Sequence, residues 1–92
     1  MNTDPIGDAV AQAYTITSLD QRRTVADEFD QGRTHNLNAY ADLLQISSDA
    51  LLLASLLEAE HPAVCNGAGR PKHNNFGKLL KEINAYKPVD NQ

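Results

Sequence analysis

A leucine-rich stretch from Ser48 to Glu60 limits the possible folds of this chain more than any other feature. It reads S-D-A-L-L-L-A-S-L-L-E-A-E, and alanine and leucine are the strongest helix formers. Ser48 can cap the first turn, and Asp49 places a carboxylate at the positive end of the helix dipole. On a helical wheel the apolar residues span an arc of about 220°, so the stretch predicts a central helix covered on two or more sides. The leucines of this arc are Leu52, Leu53, Leu56 and Leu57.

Two kinds of neighbour can cover such a helix: the other helices of the chain, or a second copy in a homodimer. With 92 residues the chain forms one domain with a modest core, so oligomerisation would add appreciably to its stability. The hydrophobic fraction of 41% and the charged fraction of 22% are ordinary for a folded globular protein. The sequence leaves both kinds of neighbour open.

Capping and breaking signals place further helices around the central one. Ser18 and Gln21 have the spacing of a capping box, Asn74 or Asn75 can cap a last helix, and Pro62 ends the central helix. The segment after Pro62 has no apolar period and is long for a loop in a compact domain, so we expect it to be mobile or to serve a function. We predict an all-α fold, a small single-domain bundle of about five short helices. The predicted helices cover residues 5–14, 19–31, 35–45, 49–60 and 75–86, with a loop at 61–74.

The second predicted helix has one charged residue in its apolar stripe. Arg22 lies near the middle of that stripe, where an apolar residue is expected. In one interpretation its aliphatic stem lies on the core while its guanidinium reaches solvent or pairs with a carboxylate of the same chain. In the other, the guanidinium pairs with a carboxylate of a partner protein. Arg22 and its neighbour Arg23 are therefore candidate partner-binding residues. The stripe consists of Leu19, Val25, Ala26 and Phe29.

The net charge of −4 hides an asymmetry along the chain. Residues 1–60 carry ten acidic and three basic residues, a net charge of −7, whereas residues 61–92 carry five basic and two acidic residues, a net charge of +3. An acidic body repels nucleic acid and favours basic protein surfaces. The basic end can contact phosphate or the acidic end of a second copy, or both ends can be solvated faces.

Asn38 to Leu57 resembles a helix-turn-helix, with Ala41 at the small position, Leu44 and Ile46 around the turn, and Ser47 opening the second helix. Leu51 and Ala54 match the usual buried positions of that second helix. The resemblance implies DNA binding. The sequence departs from the motif at Gln45, where the turn usually has glycine. The motif also turns Ser48, Asp49, Leu52 and Leu53 toward the groove, a face without the basic residues that release counterions from DNA.

A second, shorter resemblance lies in the loop. Gly69-Arg70-Pro71-Lys72 resembles the core of an AT-hook, although it has one arginine and is preceded by Asn66-Gly67-Ala68 rather than by a basic run. A solvated turn is the alternative interpretation. The alternative function is therefore a DNA-binding transcriptional regulator that uses a degenerate helix-turn-helix at 38–57 or the basic segment 70–87.

The chain lacks the usual signatures of metal sites and catalysis. His61, Cys65 and His73 have the spacing H-x3-C-x7-H, but no paired C-x2-C element accompanies them. There is no G-x-S-x-G, H-E-x-x-H or phosphate-binding glycine loop. We therefore expect no metal, no cofactor, no small-molecule substrate and no enzymatic activity. The single cysteine, the absence of a leader pattern and the absence of a membrane-spanning apolar run predict a cytoplasmic protein.

These patterns favour a small, acidic, helical regulatory or adaptor protein that binds a partner protein, with inhibition of the partner and homodimerisation as options. Three features support this hypothesis: the wide apolar arc of the central helix, the acidic body with a basic C-terminal end, and the lack of a catalytic or metal-binding motif. The candidate partner-binding residues are Arg22, Arg23, Leu52, Leu53, Arg70 and Lys72.

Overall fold

The structure of the protein is a computed structural model that describes residues 5–86. The prediction of an all-α bundle of five helices is confirmed over these residues. Each helix ends within two residues of its predicted bound. The helices are α1 (Pro5–Ile16), α2 (Leu19–Asp30), α3 (His35–Leu44), α4 (Ser48–Glu58) and α5 (Phe76–Ala85).

Side chains close to each helix satisfy the backbone groups at its start. Ser18 and Gln21 form the predicted capping box of α2, and Asn75 caps α5. The cap of α4 is Ser47 rather than the expected Ser48, because the Ser47 hydroxyl accepts from the backbone N–H of Ala50 at 3.3 Å. Short polar side chains in the sequence therefore determine where these three helices begin.

The start of α3 is capped by another helix. Its own cap residue, Thr34, makes no side-chain capping bond. Instead the Glu28 carboxylate on α2 accepts from the backbone N–H of Asn36 at 2.9 Å and from its side-chain amide at 2.7 Å. The backbone hydrogen bond is the main reason that the pKa of Glu28 lies below its ordinary value. This contact joins α2 to α3 and fixes the turn between them.

The central helix is α4, which packs against all four other helices. Leu51, Leu53 and Leu56 are 0% exposed, and the buried Ser55 hydroxyl donates to the carbonyl of Leu51 at 2.7 Å. Leu52, which lies near one edge of the apolar arc, is only partly buried. The chain itself covers α4, so the core is closed without a second copy, and a homodimer stays a prediction.

The predicted stripe of α2 is wrong at Leu19. Val25 and Ala26 are buried and Phe29 packs against the core, but the Leu19 side chain is 41% exposed. Leu19 is the first residue of α2, next to the junction with α1. A residue expected in the core is therefore part of the surface.

The first part of the loop between α4 and α5 is packed into the core. Ala63, Val64 and Cys65 are buried in it. Its tip is a tight turn closed by the pairing of Cys65 with Pro71, and Gly69 has a φ of +80° there. Because L side chains rarely adopt this conformation, the positive φ favours glycine at position 69.

His61 fixes the start of this loop. Its ring is 4% exposed and packs edge-on against Phe29 and Tyr86, with ring centroids 5.2 Å and 5.1 Å away. Its Nδ1 accepts from the backbone N–H of Ala63 at 2.9 Å, and its Nε2 donates to the Asp30 carboxylate. Because both ring nitrogens are engaged and the ring packs on two aromatic side chains, His61 holds α2, α5 and the loop together.

Over residues 5–86 no single helix is long and apolar enough to span a membrane. By length and composition α3 and α4 would qualify only as a pair, and that pair is bent by 119°.

Candidate functional site

A surface cleft separates one side of α2 from the end of α4 and has a volume of about 370 Å³. Leu19, Arg23 and Asp27 lie one helical turn apart on α2 and form one wall. The last turn of α4 forms the other wall. The residues that line the α2–α4 cleft are Leu19, Arg23, Asp27, Ser55, Glu58 and Ala59. The cleft therefore combines one exposed leucine with charged groups of both signs.

Exposed apolar side chains concentrate where α1 meets α2. Only four large hydrophobic residues of the described chain are exposed, and three of them, Tyr14, Ile16 and Leu19, lie within six consecutive positions. Their exposed fractions are 36%, 38% and 41%. Exposed apolar groups bordered by charges are typical of protein-binding surfaces. The α1–α2 junction and the adjoining cleft are therefore the best candidate site in this structure.

Arg22 is fixed by contacts within the chain beside this site. Its guanidinium donates to the carbonyl and the hydroxyl of Thr17, at 2.9 Å each, and pairs with the Glu58 carboxylate at 3.2 Å. It also lies over the Tyr14 ring, 5.0 Å from the centroid. The Thr17 carbonyl is one of the groups that α1 leaves unsatisfied at its end, so Arg22 caps α1 from α2. Arg22 therefore pairs with a carboxylate of its own chain, as the first of its two interpretations predicts.

Tyr14 has a perturbed phenol at the edge of the same site. Its hydroxyl donates to the carbonyl of Ala54 at 3.0 Å. Burial raises the pKa of Tyr14, the Glu58 carboxylate raises it further, and the Arg22 guanidinium opposes both effects. Tyr14 thus stays neutral and adds a partly exposed aromatic side chain to this site.

The other candidate partner-binding residues have different environments. Arg23 lies on the cleft wall, is exposed, and makes no ion pair with the described residues. Leu53 is 0% exposed and has no surface to offer a partner, whereas Leu52 is partly buried. Arg70 is exposed on the loop turn, and Lys72 pairs with Glu82 at 3.4 Å. The fold thus brings Arg23 and Leu19 together and keeps Leu53 away from the surface.

Glu82 partly neutralises the positive charge of the basic segment 70–87. His73 and Lys72 both reach the Glu82 carboxylate, and these hydrogen bonds lower the pKa of Glu82, with His73 contributing most. Lys78 and Lys81 are exposed on α5. The last residue of the basic segment 70–87 lies outside the described residues.

The α3–α4 pair has the geometry of a helix-turn-helix. Three residues separate helices that are bent by 119°, and Gln45 adopts the left-handed conformation with φ 57° and ψ 45° where the motif usually has glycine. Ala41, Leu51 and Ala54 are buried as the motif requires. Glu58, the next position along that motif face, has a side chain that is 37% exposed.

His61, Cys65 and His73 do not form a cluster. Within residues 5–86 no group of three or more His, Cys, Asp or Glu side chains could hold a metal ion. His61 bonds Asp30, and His73 bonds Glu82. Burial raises the pKa of the Cys65 thiol, with Glu60 adding to the shift and Lys72 opposing it, so this thiol is held in its unreactive form.

Comparison of the chain with protein families, curated proteins and solved structures finds no match.

Sequence reasoning identified Arg23 but missed Leu19 and Tyr14 as surface residues. Leu19 fits the apolar stripe of α2 in the sequence, and helical periodicity cannot show that the neighbouring helices stop short of it. A signal did exist, because Leu19 directly follows the capping Ser18 and so lies at a helix end, where coverage by other helices is thinnest.

Proposed function

We propose that this protein is a small regulatory or adaptor protein that binds a partner protein at the α1–α2 junction and the α2–α4 cleft. The observation that carries the proposal is the exposed Leu19 side chain at the cleft, beside Arg23, which has no ion pair in the described chain. Inhibition by occupying a surface of the partner is one form of such regulation. The single buried cysteine supports a cytoplasmic setting for this activity.

The composition of the cleft indicates how a partner would bind. Leu19 offers apolar area, while Arg23 and Asp27 offer one charge of each sign, neither of them in an ion pair within residues 5–86. An apolar anchor within a rim of charges is the common arrangement at protein–protein interfaces, where the anchor contributes affinity and the charges contribute orientation. A partner that inserts one apolar side chain between an acidic and a basic residue fits this surface.

Site-specific cross-linking tests the proposal. A photo-reactive amino acid at position 19 should yield an adduct with a partner protein in native lysate, and nuclease treatment should leave the adduct unchanged. The same amino acid at position 78, which is exposed on α5, is the matched control.

Purified components then complete the test. Leu19→Ser should weaken binding of the cross-linked partner about tenfold, because an apolar side chain is worth about 1.5–3 kcal/mol when buried. Circular dichroism should show an unchanged fold. Equal cross-linking at positions 19 and 78, or wild-type affinity in Leu19→Ser, would contradict the proposal.

The second candidate function is DNA binding, which the helix-turn-helix geometry of α3 and α4 favours. The charge of that region opposes it, since the chain has no lysine or arginine between Arg33 and Arg70. A DNA-binding protein should retain a duplex at low salt, release it steeply as salt rises, and lose it on combining Arg70→Ala with Lys72→Ala. No retention at low salt would eliminate this candidate.

A further inference from the structure

The surface around the α3–α4 turn carries the most exposed apolar residue of the described chain. Leu43, in the last turn of α3, is 73% exposed, almost twice the exposed fraction of any other large hydrophobic residue. Asp42 precedes it and is exposed, and Asp49 is exposed in the first turn of α4. Leu52 follows Asp49 by one helical turn and is partly buried. We name the surface formed by Asp42, Leu43, Asp49 and Leu52 the α3–α4 face.

The turn brings the end of α3, which carries Asp42 and Leu43, close to the start of α4, which carries Asp49 and Leu52. The backbone N–H of Ile46 donates to the carbonyl of Ala41 at 3.0 Å, and Gln45 reverses the chain in a left-handed conformation. The end of α3 therefore lies beside the start of α4. In a helix-turn-helix the start of the second helix faces the DNA groove, and Asp49 and Leu52 belong to that side, although Leu53, which the motif also turns toward the groove, is buried here.

Charge decides which class of molecule this side can bind. Neither aspartate makes an ion pair with the described residues, and the chain contains no lysine or arginine from residue 34 to residue 69. A phosphate backbone would meet carboxylates without any counter-charge, so DNA is repelled from the side that the geometry presents to it. A basic partner would gain charge pairing at both aspartates and an apolar contact at Leu43.

We propose that the α3–α4 face binds a basic amphipathic segment of a partner protein, with lysine or arginine paired to Asp42 and Asp49 and an apolar side chain on Leu43. The face is separate from the α2–α4 cleft, because Asp49 and Glu58 lie about 14 Å apart along α4 at 1.5 Å per residue. The protein thus has two binding surfaces at opposite ends of its central helix. This arrangement lets one small chain join two partners.

A second copy of the chain does not fit the face equally well. On the exposed side of α5, Lys78 and Lys81 offer ammonium groups, but the apolar side chains Leu79 and Ile83 of that helix are buried in the core. At the cleft, exposed Leu19 lies beside Arg23, but Arg22 is already engaged by Glu58 and Thr17, so within residues 5–86 a second copy offers one free cation there for two aspartates. The occupant that can supply two cations and an apolar group together is a segment of another protein.

The test is a titration of the ¹⁵N-labelled protein with a short helical peptide that has lysines on one face and leucines on the other. Amide signals of residues 42–52 should shift, and a peptide with glutamate in place of lysine should leave them unchanged. Leu43→Ser should weaken binding of the lysine peptide about tenfold. The combination of Asp42→Asn with Asp49→Asn should weaken binding at low salt and flatten its salt dependence.

Matched variants separate this face from general charge effects and from the cleft. Asp20→Asn removes an exposed carboxylate from the first turn of α2, as Asp49→Asn does in α4, and should leave peptide affinity unchanged. Leu19→Ser alters the cleft alone and should also have no effect. Shifts confined to other residues, equal binding of the glutamate peptide, shifts at 42–52 caused by a DNA duplex, or the same shifts on concentrating the protein alone would each overturn the proposal.

Discussion

Replacing Arg22 with alanine should destabilise the fold much more than replacing its ion-pair partner Glu58 with glutamine. The Arg22 side chain is 11% exposed and caps the end of α1 through the Thr17 carbonyl and hydroxyl. The Glu58 side chain is 37% exposed, so solvent can replace the hydrogen bonds that it loses. The structure thus assigns most of the stabilisation to the contacts of Arg22 with Thr17 and Tyr14.

The magnitude follows from these contacts. Hydrogen bonds from a charged donor contribute about 1.5–3 kcal/mol each, and a guanidinium over a partly exposed aromatic ring contributes about 0.5–1 kcal/mol. A partly exposed ion pair contributes about 0–1 kcal/mol. Because these contributions overlap, we expect Arg22→Ala to lower the free energy of unfolding by about 2–4 kcal/mol and Glu58→Gln to lower it by about 1 kcal/mol or less.

Urea unfolding followed by circular dichroism measures both values. The control is Arg23→Ala, which removes the adjacent but exposed arginine and should change the free energy of unfolding by about 0.5 kcal/mol or less. The coupling energy between Arg22→Ala and Glu58→Gln should be about 1 kcal/mol or less. Equal losses for Arg22→Ala and Arg23→Ala, or for Arg22→Ala and Glu58→Gln, would refute the assignment of Arg22 as the cap of α1.

Three further outcomes follow from burial and pKa. Leu53→Ala should lower the free energy of unfolding by about 2–5 kcal/mol because it leaves a cavity in a site that is 0% exposed, whereas Leu43→Ala should change it by about 0.5 kcal/mol or less in the same urea assay. Cys65 should react with a thiol reagent only as fast as the protein unfolds, and fast labelling under native conditions would show that the thiol is accessible. The Glu28 pKa is lowered by folding, so its contribution to stability is complete above the ordinary value of 4.5 and is lost as the pH falls through the lowered pKa. The difference in unfolding free energy between wild type and Glu28→Gln should therefore shrink below pH 4.5, and a difference that stays constant to low pH would contradict this.

Helix positions were predictable because their signals are local. The capping box at Ser18 and Gln21 and the cap at Asn75 each satisfy backbone groups within a few residues, so the sequence contains both partners of every such bond. The cap of α4 lies at Ser47 instead of Ser48 because two adjacent serines offer the same hydroxyl. Capping bonds between helices, such as Glu28 to Asn36, carry no comparable local signal.

The candidate site was predictable only in part. Arg23 was identified from its charge, but Leu19 fits an apolar stripe equally well whether or not another helix covers it. Leu53 was a candidate partner-binding residue, but it is buried. The apolar arc of α4 is too wide to indicate which of its leucines reach the surface. Single-helix periodicity gives the direction of a side chain but not the position of its neighbours.

The sequence by itself determined that this chain forms five short helices with a leucine-rich one at the centre, and that its first sixty residues are acidic. Capping, helix propensity and charge depend on residues close together in the chain, so no knowledge of the fold is needed to derive them. Only the tertiary structure decided that α4 is covered within one chain, that His61 secures the loop to α2, and that Leu19 and Leu43 stay exposed. These outcomes depend on which helices pack side by side, and packing involves residues that are distant in the sequence.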